Sequence, residues 1–137
     1  MQPIKAFNVL GEPVELLIDS ESTGGSSATF TQVSPPGGGP PPHSHQNEDE
    51  IFCVLNGEYE FLQNGSWTKV GAGDVVHAKR GSTHTFRNAG NAEGKLLIFV
   101  SPGGFEKYLE EISVLSIPDD MHRLLAISER YGIAFSF

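Results

Sequence analysis

The sequence predicts an all-β protein, an antiparallel barrel with a short helical extension at its C-terminal end. Three observations carry that reading. Short segments rich in β-branched and aromatic residues recur between residues 14 and 101. Turn residues separate them, including Asn56-Gly57 and Asn64-Gly65, within a chain of sixteen Gly and nine Pro. After Pro102 the apolar spacing turns helical, so strands come first and helices last.

Residues 14–19 (VELLID) form the first strand pattern. Residues 28–34 (ATFTQVS) alternate, with Phe30 and Gln32 on the face opposite Thr29, Thr31 and Val33. The low-complexity run 35–42 (PPGGGPPP) has only about thirty residues before it, too few for a separate core. It therefore reads as a tight loop inside one domain. Residues 50–55 (EIFCVL) end at Asn56-Gly57. Residues 58–63 (EYEFLQ) and 66–70 (SWTKV) flank Asn64-Gly65, a type I′ hairpin signal because both residues tolerate φ > 0. Gly73 opens strand 74–79 (DVVHAK), and Gly81-Ser82 turns into strand 84–88 (HTFRN). The continuous apolar run 95–101 (KLLIFVS) predicts a strand buried on both faces. Phe105, Tyr108, Leu109, Ile112 and Leu115 have helical spacing over 105–115. Pro118-Asp119-Asp120 reads as a turn and N-cap for a second helix at 121–131, with Gly132 as its C-cap. One domain over 1–137 is expected, with the barrel at about 14–101 and the helices at about 104–131.

Charge narrows the function. Seventeen acids against nine bases leave a net charge of −8, which argues against nucleic acid and against an anionic membrane surface as partners. No apolar run approaches the ~18 residues a membrane span needs. The start MQPIKAFNVLGEP lacks the apolar core of a signal peptide. A single cysteine, Cys53, excludes an internal disulfide. A cytoplasmic location is the resulting expectation.

The chemistry lies in two spaced sets. The first is Gly37, five residues, His43, one residue, His45, four residues, Glu50, six residues, Gly57. The second is Gly73, seven residues, Gly81, two residues, His84, three residues, Asn88. His43 and His45 are two apart, so on a strand both imidazoles share a face. Glu50 lies an odd number of residues beyond His45, so the chain must bend between them or pass to another strand. A carboxylate heading so apolar a strand is costly if buried unpaired, and a metal ion removes that cost. A lone His-x-His is more often a surface feature. Together with Glu50 and His84 it makes a 3-His/1-carboxylate set suited to Mn, Fe, Co, Ni, Cu or Zn, with positions left open for water, dioxygen or substrate.

These residues resemble the signature motifs of the cupin superfamily, G-x5-H-x-H-x3,4-E-x6-G and G-x5-P-x-G-x2-H-x3-N. Every fixed position is present except the proline, where Lys79 stands. The lost proline shapes a turn and binds no metal. Fifteen residues separate Gly57 from Gly73, as in small microbial cupins. The resemblance, nearest to the quercetin-dioxygenase-like group, implies a double-stranded β-helix (a jelly-roll barrel) with one divalent transition-metal ion held by His43, His45, Glu50 and His84. It also implies a small-molecule ligand or substrate in the barrel and a homodimer. Glu50 would double as a catalytic base toward a substrate hydroxyl. The implied activity is a metal-dependent dioxygenase acting on a small aromatic or enolic compound. The alternatives are a non-redox isomerase or hydrolase, or a non-enzymatic binding protein.

Phe52, Val54, Tyr59, Phe61, Phe86, Ile98 and Val100 are expected to line the barrel, each also readable as plain core. Cys53 reads as a buried small hydrophobe. His77 either lines the pocket or faces out, His122 reads as a surface residue, and Trp67 receives no role.

Overall fold

The structure, a computed structural model, describes residues 2–137. Its strands are β1 (Lys5–Val9), β2 (Glu12–Ile18), β3 (Ala28–Ser34), β4 (His43–His45), β5 (Asp49–Asn56), β6 (Glu58–Gln63), β7 (Ser66–Gly71), β8 (Val75–Ala78), β9 (His84–Asn88), β10 (Gly94–Ser101) and β11 (Ile133–Phe135). Its helices are α1 (Phe105–Ile112) and α2 (Met121–Arg130). The strands form two sheets, in the orders β1-β2-β3-β10-β5-β8 and β11-β4-β9-β6-β7. Inward side chains of the two sheets meet in one core. Phe52 of the first sheet lies 5.0 Å, centroid to centroid, from Phe61 of the second. This is the mainly β barrel with a helical extension that the patterning predicts. No helix among the described residues is long and apolar enough to cross a membrane.

The turns follow their chemistry. Asn64 and Gly65 take φ of 52° and 80°, joining β6 to β7 as the Asn-Gly signal requires. A second turn of this kind, at Leu10 (φ 50°) and Gly11 (φ 88°), joins β1 to β2. Leucine is a poor residue at positive φ, so nothing in the sequence marks this hairpin. The run 35–42 is a loop laid against β9: Gly37 N–H donates to the Asn88 carbonyl and Asn88 N–H to that of Gly38, both at 2.9 Å. Gly39 is required there, because a Cβ would lie 2.0 Å from the Phe86 carbonyl oxygen.

Strand β10 departs from expectation. It is buried on one face only: Leu96, Ile98 and Val100 enter the core, whereas Phe99 is 37% exposed. Its partners on that outer face, Ile51 and Cys53 on β5, are at least partly exposed as well, so Cys53 is not the buried hydrophobe expected. The apolar run hides a true alternation because both of its faces are apolar.

Helix α1 buries Phe105, Tyr108, Leu109 and Ile112 and ends at Ile112, three residues short of Leu115, which is still buried. Asp120 stands at the N-cap position of α2, but its carboxylate accepts the Ser116 N–H instead of capping the helix. Gly132 follows at φ 73°, and its N–H donates to Glu129, closing the helix. The chain then returns to the barrel as β11, which pairs with β4 in the register Ile133–His45, Ala134–Ser44 and Phe135–His43. A three-residue strand has too little pattern to read from sequence. Its effect is to fix the second edge of β4, whose other edge meets β9.

Candidate metal centre

Two strands of one sheet and one of the other supply the cluster. Strand β4 points His43 and His45 inward, and His43 pairs with His84 at the start of β9. Residues 46–48 then bend, and the chain crosses to the other sheet, where β5 carries Glu50 inward. That crossing resolves the odd spacing between His45 and Glu50. Glu50 is 3% exposed and all three histidines are buried.

Each imidazole is oriented by the nitrogen that faces away from the cluster. His43 Nδ1 lies 2.9 Å from the Pro41 carbonyl and His84 Nδ1 lies 3.1 Å from that of Ser82. A carbonyl only accepts, so both rings carry the proton on Nδ1. His45 Nδ1 lies 3.0 Å from the Glu48 carboxylate, with the same consequence. All three Nε2 atoms are thereby turned toward the cluster. His45 Nε2 lies 2.8 Å from Glu50 Oε1, and His84 Nε2 lies 2.9 Å from the same oxygen in hydrogen-bond geometry. Despite that closeness, His45 Nε2 is buried with no aligned hydrogen-bond partner.

Lone pairs and a carboxylate oxygen gathered this tightly repel unless a cation sits among them. The ligand atoms of the four residues all lie within 4.8 Å of one another. Bonds of about 2.0–2.2 Å to a single ion span nearly that separation. The donor set and its geometry fit a transition-metal ion, and the orphaned His45 nitrogen is the atom such an ion would satisfy.

Without an ion, a proton takes that role. Burial works against a charged His45, but the carboxylates of Glu50 and Glu48 outweigh it and raise the ring to about 9. Burial alone would raise the Glu50 carboxyl, yet His45 and then His84 hold it well below the usual carboxylate range. Burial pushes His43 down to about 4, leaving it neutral and ready to ligate.

The cluster borders a cavity of about 320 Å³, reached through His43 and Glu50. Phe30, Phe52, Phe86 and Ile98 form its walls, Phe105, Leu109 and Leu124 come from the helices, and Phe135 from β11. No lysine or arginine lines it. Of the seven residues expected to line the barrel, Phe52, Phe86 and Ile98 reach the cavity, whereas Val54, Tyr59, Phe61 and Val100 are buried core. His77 and His122 face out, and Trp67 is an exposed edge residue stacked under the Arg87 guanidinium at 3.9 Å.

Residues 30–100 match the family pattern of the cupin domain. The chain belongs to the cupin family. A Thermotoga maritima protein described as oxalate-binding is 32% identical to this cupin over 85 residues, covering 61% of this chain and 70% of that protein. A T. maritima crystal structure described as a predicted oxalate decarboxylase superposes with TM-score 0.63 at 29% identity, covering 74% of this chain and 93% of the other. KdgF from a Halomonas species shares the fold, with TM-score 0.68 at 17% identity over 78% of this cupin and 97% of its own chain.

Sequence reasoning missed Glu48, the carboxylate that orients His45. Its place three residues after a ligand, inside the bend, is a signal that could have found it. It also missed Phe105, Leu109 and Leu124 as cavity walls, because a helix's apolar stripe does not say what it covers.

Proposed function

We propose that this cupin is a metal-dependent dioxygenase acting on a small aromatic or enolic compound, with His43, His45, Glu50 and His84 holding the ion. The observation that carries the proposal is the pairing of that candidate ligand set with an apolar cavity lined, among the described residues, by no lysine or arginine. Such a cavity suits a flat, uncharged organic body with an ionisable oxygen at one end. A bound transition-metal ion would supply Lewis acidity and, if redox-active, one-electron chemistry with dioxygen. The chain's own residues do the rest. The imidazoles hold the centre, and Phe52, Phe86 and Ile98 exclude water from it. Both close approaches to Glu50 use Oε1, so Oε2 is the oxygen able to take a proton from a substrate hydroxyl.

The test measures oxygen consumption by protein loaded in turn with Fe, Mn, Co, Ni, Cu and Zn, using catechol- and enol-bearing aromatics. Oxygen uptake that depends on the ion supports the proposal. Turnover that proceeds without oxygen on the zinc form would replace it with a Lewis-acid isomerase or hydrolase. Glu50→Gln is expected to keep part of the metal and lose at least a hundredfold in turnover, in line with the ~10²–10⁴ usual for a general base. Full activity in that variant would remove Glu50 from the chemistry. Kinship with an oxalate-binding protein favours a second reading, simple binding of a small chelating acid. Titration of the metal-loaded protein with oxalate tests it.

A further inference from the structure

The cavity has a second polar end. Glu12, at the start of β2, lines it together with Gln32 on β3. Glu12 is only 8% exposed. Its Oε1 accepts the Gln32 side-chain amide at 2.9 Å and the Ser34 hydroxyl at 2.8 Å. No hydrogen bond or ion pair among the described residues engages Oε2. The loop over it closes at Gly38, where a Cβ would lie 2.7 Å from that oxygen. Glu12 Oε2 is not among the fully buried unpartnered atoms and keeps some exposure, so a donor on a ligand in the cavity can reach it. Among the described residues no lysine or arginine lines the cavity to serve as that donor.

The two polar ends are far apart. Gln32 pairs with Leu96, and Leu96 with Val54, four residues along β5 from Glu50. At a rise of ~3.4 Å per residue this is about 14 Å of strand. Phe30, Phe52 and Ile98 occupy the wall between. That length exceeds a two-carbon diacid and suits a molecule of two rings.

We infer that Glu12, held by Gln32 and Ser34, is a specificity-determining subsite that accepts an O–H or N–H donor at the end of the ligand remote from the metal centre. The ligand class is then an apolar body, neutral or cationic, with a chelating oxygen at one end and a hydrogen-bond donor at the other. An anionic group at the remote end is rejected. This rests on the metal-centred reading above and adds to it a part of the site outside both histidine motifs.

Three probes share a catechol and differ at the far ring: 4-phenylcatechol, 4-(4-hydroxyphenyl)catechol and 4-(4-carboxyphenyl)catechol. Each is titrated into cobalt-loaded protein and followed by the cobalt absorption. The hydroxyl probe is expected to bind about tenfold more tightly than the unsubstituted one, and the carboxylate probe at least tenfold more weakly, as one made or one frustrated buried hydrogen bond implies. In Glu12→Gln the hydroxyl preference should fall to about twofold or less with the cobalt content unchanged. Equal binding of the three probes by the wild-type protein would overturn the subsite even if the variant were unstable. Retention of the full preference by Glu12→Gln would overturn it too, since Glu12 would then only brace the loop. Failure of the protein to take up cobalt would overturn the metal centre and the subsite together. Cobalt uptake without discrimination would overturn the subsite alone.

Discussion

Two carboxylates reach the cavity of this barrel, and their surroundings are opposite. Glu50 sits among three imidazoles, with Nε2 of His45 and His84 at 2.8 and 2.9 Å from its Oε1. Glu12 sits against a neutral amide and a neutral hydroxyl. Both are nearly buried on the inner face of the same six-stranded sheet. Burial therefore does not define their roles; the partners do. A buried carboxylate ringed by imidazole nitrogens calls for a cation, a metal ion or a proton. A carboxylate beside donors, with one oxygen left over, calls for another donor.

The contrast breaks most visibly at the metal end. His84→Ala is expected to lower metal affinity by at least a hundredfold, read by chelator competition and elemental analysis. An unchanged metal content would remove His84 from the ligand set. Glu48→Gln should weaken binding by about 10–100-fold, the usual cost of losing the carboxylate behind a histidine ligand. It leaves every ligand in place, so it separates ring orientation from ligation.

Proton release sharpens the contrast further. At pH 7 the metal-free His45 carries a proton, because its ring is raised to about 9. Metal binding must displace that proton, so apparent affinity should rise up to tenfold per pH unit and level off near pH 9. Calorimetry in buffers of different ionisation enthalpy reads about one proton released at pH 7. Stability of the metal-free protein follows the opposite sign. The raised His45 contributes fully below about 6.5 and loses that contribution as pH climbs to about 9. The depressed Glu50 contributes above about 4.5 and loses it as pH falls below. Neutral His43, held down to about 4, loses stability as pH falls below about 6.5, so the metal-free melting temperature should peak near pH 6.5. A peak above pH 8 would contradict the charge pairing.

The smallest effect belongs to the far end. Ser34→Ala removes one donor from Glu12 and should cost about 1–2 kcal/mol of stability by chemical denaturation. Metal content should not change. A change in metal content would mean that the two ends are not independent.

The His43, His45, Glu50 and His84 cluster was legible because a candidate ligand set is a matter of residue type and short spacing. Strands β3, β6 and β9 were legible to the residue, because turn or loop residues bound them and β-branched and aromatic residues fill them. The Asn64-Gly65 turn was legible because few residues accept positive φ. Strand β1 was hidden behind a Leu10-Gly11 turn that chemistry does not favour. Strand β10 was misjudged on its outer face, where Leu97 and Phe99 break the alternation without being buried.

By itself the sequence determined the four residues of the candidate metal cluster, the bend between His45 and Glu50, and the helical extension that follows the main run of strands. These follow from local chemistry and from the period of two along a strand. Tertiary structure alone decided which nitrogen of each imidazole faces the cluster, because Pro41, Ser82 and Glu48 set it through contacts. It alone decided that α1, α2 and β11 wall the cavity and that Glu12 meets Ser34 at its far end, twenty-two residues away in the chain. Spacing cannot show such contacts, since only the closing of the barrel brings those residues together.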